Sequence, residues 1–345
     1  MIIYNVSLIL FLTISFLGVS QSNVAKYVVI LYLLIVFFII FGFRWYVGND
    51  YEGYLGLHNS IQNGIQLRNE PLFQLFFSFF SGPNGSVYAI AFLTTLSFSI
   101  YIIACHKYSS VVWIVYFYFV CTMVLFFNDQ IRQATALSIF IFAYRYIESR
   151  SLLKFCLCMI VAFMFHYYSL VLFLSYFFKG SIIKKNFYIY ILFVLILLYF
   201  LGFFRTIQDS LFSILPVFVS SIYAGKDYLF EVHRSSGLTI VVWAVPFMLL
   251  CVQERNSRDL DHLILLCFIG LCSKIVFFDF HLLSRLSNYY LYLSPLLYAI
   301  ALSRNSTGYK YKVFYVFWFF IYFQYLIYIE GGYHGGFPYK NYLLL

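Results

Sequence analysis

Residues 154–179, KFCLCMIVAFMFHYYSLVLFLSYFFK, decide the fold. An apolar run of this length reads first as one membrane helix, but His166-Tyr-Tyr-Ser169 interrupts its middle. A single crossing inverts the sidedness of every later loop; a hairpin of two short helices does not. Charge separates the two readings. With a hairpin, the loops at 20–26, 105–110, 145–154, 179–186, 253–261 and 304–312 share one side and hold more than half of the 22 lysines and arginines. With a single crossing, Lys179, Lys184 and Lys185 face outward and the later loops invert the bias. Lysine and arginine are retained on the cytoplasmic side of membrane proteins. The run is therefore read as a hairpin whose tip, His166, points to the outer face.

The rest of the chain supports that class. Hydrophobic residues make up 63% of the 345 and charged residues only 10%. Backbone in lipid must satisfy its own hydrogen bonds, and unbroken apolar runs of helical length, rather than alternating ten-residue strands, imply helices. The expected fold is an all-α polytopic integral membrane protein, with about ten full spans plus the short-helix hairpin. The spans are 3–19, 26–43, 86–104, 111–128, 131–147, 187–204, 237–252, 262–278, 287–303 and 313–329. The first lacks a basic n-region and a small-residue cleavage site, so it is read as a retained helix. One transmembrane domain, 1–345, then carries an outer loop at 44–85, the broken hairpin at 154–179 and an outer capping segment at 205–236. Within the outer loop, Glu70 to Phe80 is an aromatic stretch too short to span, with Pro71 in its first turn. It reads as an interfacial helix.

Function classes fall away quickly. The formal charge of +9 follows from cytoplasmic retention of basic residues and does not call for nucleic acid. All seven cysteines lie in apolar runs or at their edges, where thiols behave as small hydrophobes. Cys156-x-Cys158 has neither a second pair nor zinc spacing. There is no phosphate-binding P-loop, no zinc helix motif and no glycine-rich dinucleotide turn. No metal and no cofactor is expected.

What remains is polar and gathers on the outer side. The segment Arg44-Trp-Tyr-Val-Gly48-Asn-Asp50-Tyr51-Glu52-Gly-Tyr54 follows a span directly and packs an arginine and two carboxylates into eleven residues. Arg132 begins a span beside Asn128, Asp129, Gln130 and Gln133, with Asp129 as a potential helix cap. Arg285 begins another, four residues after His281. His166 occupies the hairpin break. Each has a plain reading as well: a snorkelling anchor for Arg44, solvated loop acids for Asp50 and Glu52, an interior hydrogen-bonder for His166. Together they suit one task. Arginine forks bind phosphate bidentately and cannot be neutralised, and a carboxylate or imidazole can take a proton from an attacking hydroxyl. His166 or Asp50 is the candidate base; Arg132 and Arg285 are candidates for a diphosphate, with Arg44 as a further phosphate-binding or ordering group.

Four blocks also carry a family resemblance: Arg44-x-x-x-Gly48-x-Asp50-Tyr51 with Tyr54; Asn69-Glu70-Pro71-Leu-Phe; Gln130-Ile-Arg132-Gln133-Ala-x-Ala136; and Phe165-His166-Tyr-Tyr-Ser169. In these the chain resembles the Wzy-type repeat-unit polymerases of bacterial O-antigen, capsule and exopolysaccharide, especially the EpsG-like branch. Beyond residue 180 only Arg285 with Asn288-Tyr-Tyr290 looks alike. Many members carry a small residue where this chain has Tyr167. The resemblance implies a GT-C-like architecture in the bacterial cytoplasmic membrane with its active face outward. It implies metal-independent transfer of a growing glycan from undecaprenyl diphosphate onto a lipid-linked repeat unit. Chain-length regulators and a flippase are the expected neighbours, and Tyr51, Glu70, Gln130 and His281 join the expected substrate-binding set. The alternatives are an O-antigen ligase, a lipid-linked oligosaccharide flippase or other transporter, and a membrane O-acyltransferase.

Overall fold

The computed structural model describes residues 2–17, 23–65, 70–108, 112–178, 184–207, 237–254, 260–279, 281–304, 308–330 and 339–344. Among these residues the fold is all-α, and the only extended pairing is an isolated antiparallel bridge between Arg44 and Asn341. Two compact units emerge: Met1–Tyr176 with Tyr298–Leu345, and Phe177–Leu297.

The first unit is built on α8 (Ile131–Glu148), which α5 (Gly85–His106) and α9 (Leu152–Phe165) flank. Nearly every side chain of α8 from Ile131 to Ala143 is buried, so this stretch is packed on all sides. Its small residues Ala134, Ala136 and Ser138 let neighbours approach closely. Where hydroxyls enter this interface they are satisfied. Ser97 and Thr135 meet at 2.6 Å between α5 and α8, where one hydroxyl donates to the other and the acceptor donates to a carbonyl of its own helix, Leu93 or Ile131. An aromatic layer continues the core, with Phe37 stacked on Phe98 at 3.9 Å and Phe119 against both. Around it lie α1 (Ile2–Leu17), α2 (Asn23–Phe37) with its π-turn Phe38–Gly42, α6 (Val112–Thr122) and α7 (Val124–Asp129).

Of the described helices, α5 alone is long and apolar enough to cross a bilayer by itself: 22 residues reach about 33 Å at 1.5 Å per residue. Shorter apolar helices cover 27–42, 152–165, 167–176, 185–200 and 238–253. The described helices do not map one to one onto the ten expected spans. The stretch at 111–128 breaks at Met123, where the Thr122 hydroxyl turns back onto the Tyr118 carbonyl, a bond that bends helices. The stretch at 287–303 divides into α13 (His281–Leu291) and α14 (Ser294–Ser303), because Pro295 sits in the first turn of α14 and cannot continue the preceding ladder. α15 (Tyr309–Tyr325) runs into a second π-turn, Leu326–Glu330.

The polar region at 44–85 is not one loop with one helix. It holds α3 (Tyr51–Gln62) as well as α4 (Pro71–Ser78), the latter starting at Pro71 and burying Phe73 and Phe77. After α9, His166 is extended (φ −155°, ψ 109°) and Tyr167–Tyr176 forms a 3₁₀ helix. Phe155, near the start of α9, meets Tyr176 at 5.3 Å, so the chain doubles back with His166 at the turn. Fourteen residues of α-helix and ten of 3₁₀-helix give two arms of about 20 Å each.

The second unit contains α10 (Lys185–Phe200), α11 (Leu238–Gln253), α12 (Asp261–Val276) and α13. The Lys185 ammonium pairs with Asp261 at 2.7 Å and donates to the Glu254 carbonyl at 2.6 Å, tying the start of α10 to that of α12. Of the capping segment at 205–236, only residues 205–207 are described. Arg205 donates to Asp279 at 2.7 Å, and the Tyr199 hydroxyl donates to the same carboxylate.

Candidate functional site

The site begins with the way α2 ends. Its π-turn leaves the Ile39 and Ile40 carbonyls without helical partners, and the C-terminal tail supplies them. The Asn341 amide donates to Ile39 at 2.8 Å and the Tyr339 hydroxyl donates to Ile40. Trp45 N–H then donates to Lys340 and Tyr342 N–H to Phe43, so the tail straps the strand-like stretch around Arg44.

Thus held, Arg44 points inward and is 0% exposed. Its Nε donates to the carbonyls of Val47 (3.2 Å) and Asn128 (3.1 Å), and Nη2 donates to Asn128 again (2.7 Å). Nη1 reaches the Phe41 carbonyl (2.9 Å) and the Thr94 hydroxyl (3.1 Å). This guanidinium welds the turn at 44–48 to the α7–α8 junction. All of these hydrogen bonds go to oxygens of the protein itself. Gly48 completes the weld: its φ is +103°, and a Cβ there would stand 2.8 Å from the Asn128 carbonyl oxygen. Next to it, Asp129 accepts the Asp50 amide at 3.0 Å and does not cap α8, whose first residue follows Gln130 with no side-chain cap.

Glu70 joins the remaining pieces. It precedes Pro71 at the start of α4 and is 3% exposed. One carboxylate oxygen takes Nη1 of Arg132 at 2.5 Å, and the other meets Nδ1 of His166 at 2.8 Å. Three sequence-distant blocks thus converge on one carboxyl group. Burial alone pushes the Glu70 pKa up. The hydrogen bonds from His166 and Arg132 and the charges of both partners more than offset it and hold the group below the ordinary glutamate range. The Arg132 guanidinium also lies 5.8 Å from the Tyr54 ring and 5.4 Å from the Phe73 ring, stacked between α3 and α4. With 30% of its side chain exposed, Arg132 is the most accessible member of the trio. Burial raises the Tyr54 pKa to about 12, with Arg132 lowering it and Asp50 and Asp129 raising it.

The other expected residues take varied places. Asp50 is half-buried at the start of α3, in the electrostatic neighbourhood of Tyr54. Tyr51 is buried, 5.8 Å from the Arg44 guanidinium and edge-on to Trp45. Gln130 lies at the α7–α8 junction with a buried Oε1 that has no hydrogen-bond partner among the described residues. Arg285 lies on α13 in the second unit, one residue after Ser284, whose hydroxyl accepts from Lys274 at 2.6 Å. His281 opens the same helix; its side chain lies outside the described residues. Sequence reasoning missed Tyr54 as a cluster member, Asp129 as the Asp50 acceptor and the tail as a strap. The buried stripe Tyr51, Tyr54, His58, Ile61 at helical spacing was the available signal for α3.

Compared with known proteins, residues 26–341 match the model of the EpsG family. No curated protein and no solved structure matches the chain.

Proposed function

The chain belongs to the EpsG family, and from that premise we propose that it is a polysaccharide polymerase of the bacterial cytoplasmic membrane. The reaction is glycosyl transfer at the outer leaflet. The donor is a growing glycan on undecaprenyl diphosphate, and the acceptor is a lipid-linked repeat unit. An acceptor hydroxyl oxygen attacks the donor's anomeric carbon, and the bond from that carbon to the phosphate oxygen breaks. The electron pair leaves with the lipid diphosphate, and the hydroxyl proton passes to His166. Arg132 meets the charge developing on the diphosphate, and Arg285 keeps the phosphate-binding role expected of it. Asp50 stands near Tyr54 as a group for the glycan, and Gln130 offers its amide oxygen to a sugar hydroxyl. Arg44 orders the turn that carries Asp50.

The observation that carries this reading is the convergence of Arg132, Glu70 and His166. A cation suited to phosphate and an imidazole suited to a proton share one buried carboxylate. The test is complementation of a deletion strain of the native host, with surface polysaccharide resolved by length. Arg132→Ala and Arg285→Ala are expected to leave single capped repeat units while the protein stays in the membrane at normal levels. Full-length polymer from both variants would contradict the assignment. A strain that places no repeat on its surface acceptor at all would point to a ligase instead.

A further inference from the structure

The reaction as written needs a cation and a base, and neither requires a buried carboxylate between them. Glu70 is nonetheless there, touching both. An ionised carboxylate only accepts hydrogen bonds, so each partner must donate to it. Arg132 does so through Nη1. His166 does so through Nδ1, which then carries the ring proton and leaves the lone pair of a neutral imidazole on Nε2. The ring is confined as well as polarised: Tyr167 and Tyr168 stand edge-on to it at 5.8 and 5.5 Å. His166 itself is extended backbone between two helical arms, with its amide bonded to the Ala162 carbonyl, so the backbone cannot re-aim the ring without breaking that turn.

We propose that Glu70 is a positioning residue that locks His166 in the Nδ1–H tautomer, so that Nε2 is the atom that receives the acceptor's proton. By holding Arg132 on its second oxygen, it also sets the separation between the phosphate-binding cation and the base. The inference rests on the polymerase reading for what Nε2 receives; the tautomer is a property of the chain alone. Glu70→Gln keeps the size of the side chain but replaces a carboxylate, which can only accept, with an amide that both accepts and donates. It removes the reason for His166 to prefer one tautomer.

Two measurements test it together. The first is the ¹⁵N spectrum of the full-length protein in lipid nanodiscs, labelled at its seven histidines, with His166→Gln used to assign the His166 signals. At a pH where the imidazole is neutral, His166 is expected to show a protonated Nδ1 and an unprotonated Nε2, a preference lost in Glu70→Gln. The second is polymer yield in the complemented strain, where Glu70→Gln is expected to cut yield about 100-fold or more at unchanged protein level. A wild-type spectrum with the proton on Nε2 overturns the inference, and needs no variant to fold. So does a Glu70→Gln strain with normal polymer. If His166→Ala makes normal polymer, the assignment of His166 as base fails, while the wild-type spectrum still decides the tautomer separately.

Discussion

Arg44 and Arg132 are alike as letters and opposite as groups. Both follow or open an apolar run, yet one guanidinium is spent on neutral oxygens of its own fold and the other is partly open beside a carboxylate. No spacing in the sequence tells which way a guanidinium turns, so the sequence groups the two as phosphate candidates without separating them. The difference is measurable. Arg44→Lys keeps the charge but cannot reach Phe41, Val47, Thr94 and Asn128 at once. It is expected to lower unfolding stability by about 3 kcal/mol, read as a drop in Tm of the purified protein. Glu70 predicts a pH effect. Its folded pKa lies below its unfolded value, so its contribution to stability is complete above the unfolded pKa. That contribution is lost as pH falls through the folded one. Wild-type Tm is therefore expected to decline on acidification below the ordinary glutamate range, and Glu70→Gln is expected to lack that component.

At the scale of elements, the hairpin was legible because a histidine and two tyrosines interrupt an apolar run, and because charge disfavoured a straight crossing. The helix α3 was not, because Asp50 just before it and Glu52 and Gly53 in its first turn read as loop, and only the 51, 54, 58, 61 stripe argues otherwise. The tail at 339–344 was illegible for a different reason: its partners are backbone carbonyls freed by a π-turn, and sequence does not show where a helix will widen. Two substitutions probe these joints. Gly48→Ala places a methyl against the Asn128 carbonyl at a positive φ and is expected to destabilise by about 2 kcal/mol. Asn341→Ala removes the amide that satisfies Ile39 and is expected to cost about 1 kcal/mol. If the strap orders the Arg44 turn, both variants lower Tm, and limited proteolysis near residue 46 speeds up; an unchanged cleavage rate in both contradicts the strap.

At the scale of the whole molecule, helical class and family were legible from apolar run length and four short blocks, whereas the number of crossings was not. Breaks at Met123 and before Pro295 cut apparent spans into pieces that length alone does not classify. Sidedness is open to direct labelling. In a cysteine-free background, Asn84→Cys is expected to react with a membrane-impermeant thiol reagent on intact cells, and Ser149→Cys only after lysis; the reverse pattern inverts the topology on which an outward site depends. The most direct measurement of the central claim uses the purified full chain in liposomes supplied with lipid-linked repeat units and nothing else. The account predicts a ladder of longer lipid-linked glycans from the wild type and none from His166→Ala or Arg132→Ala. Single repeat units that are moved across the bilayer but never lengthened would contradict it.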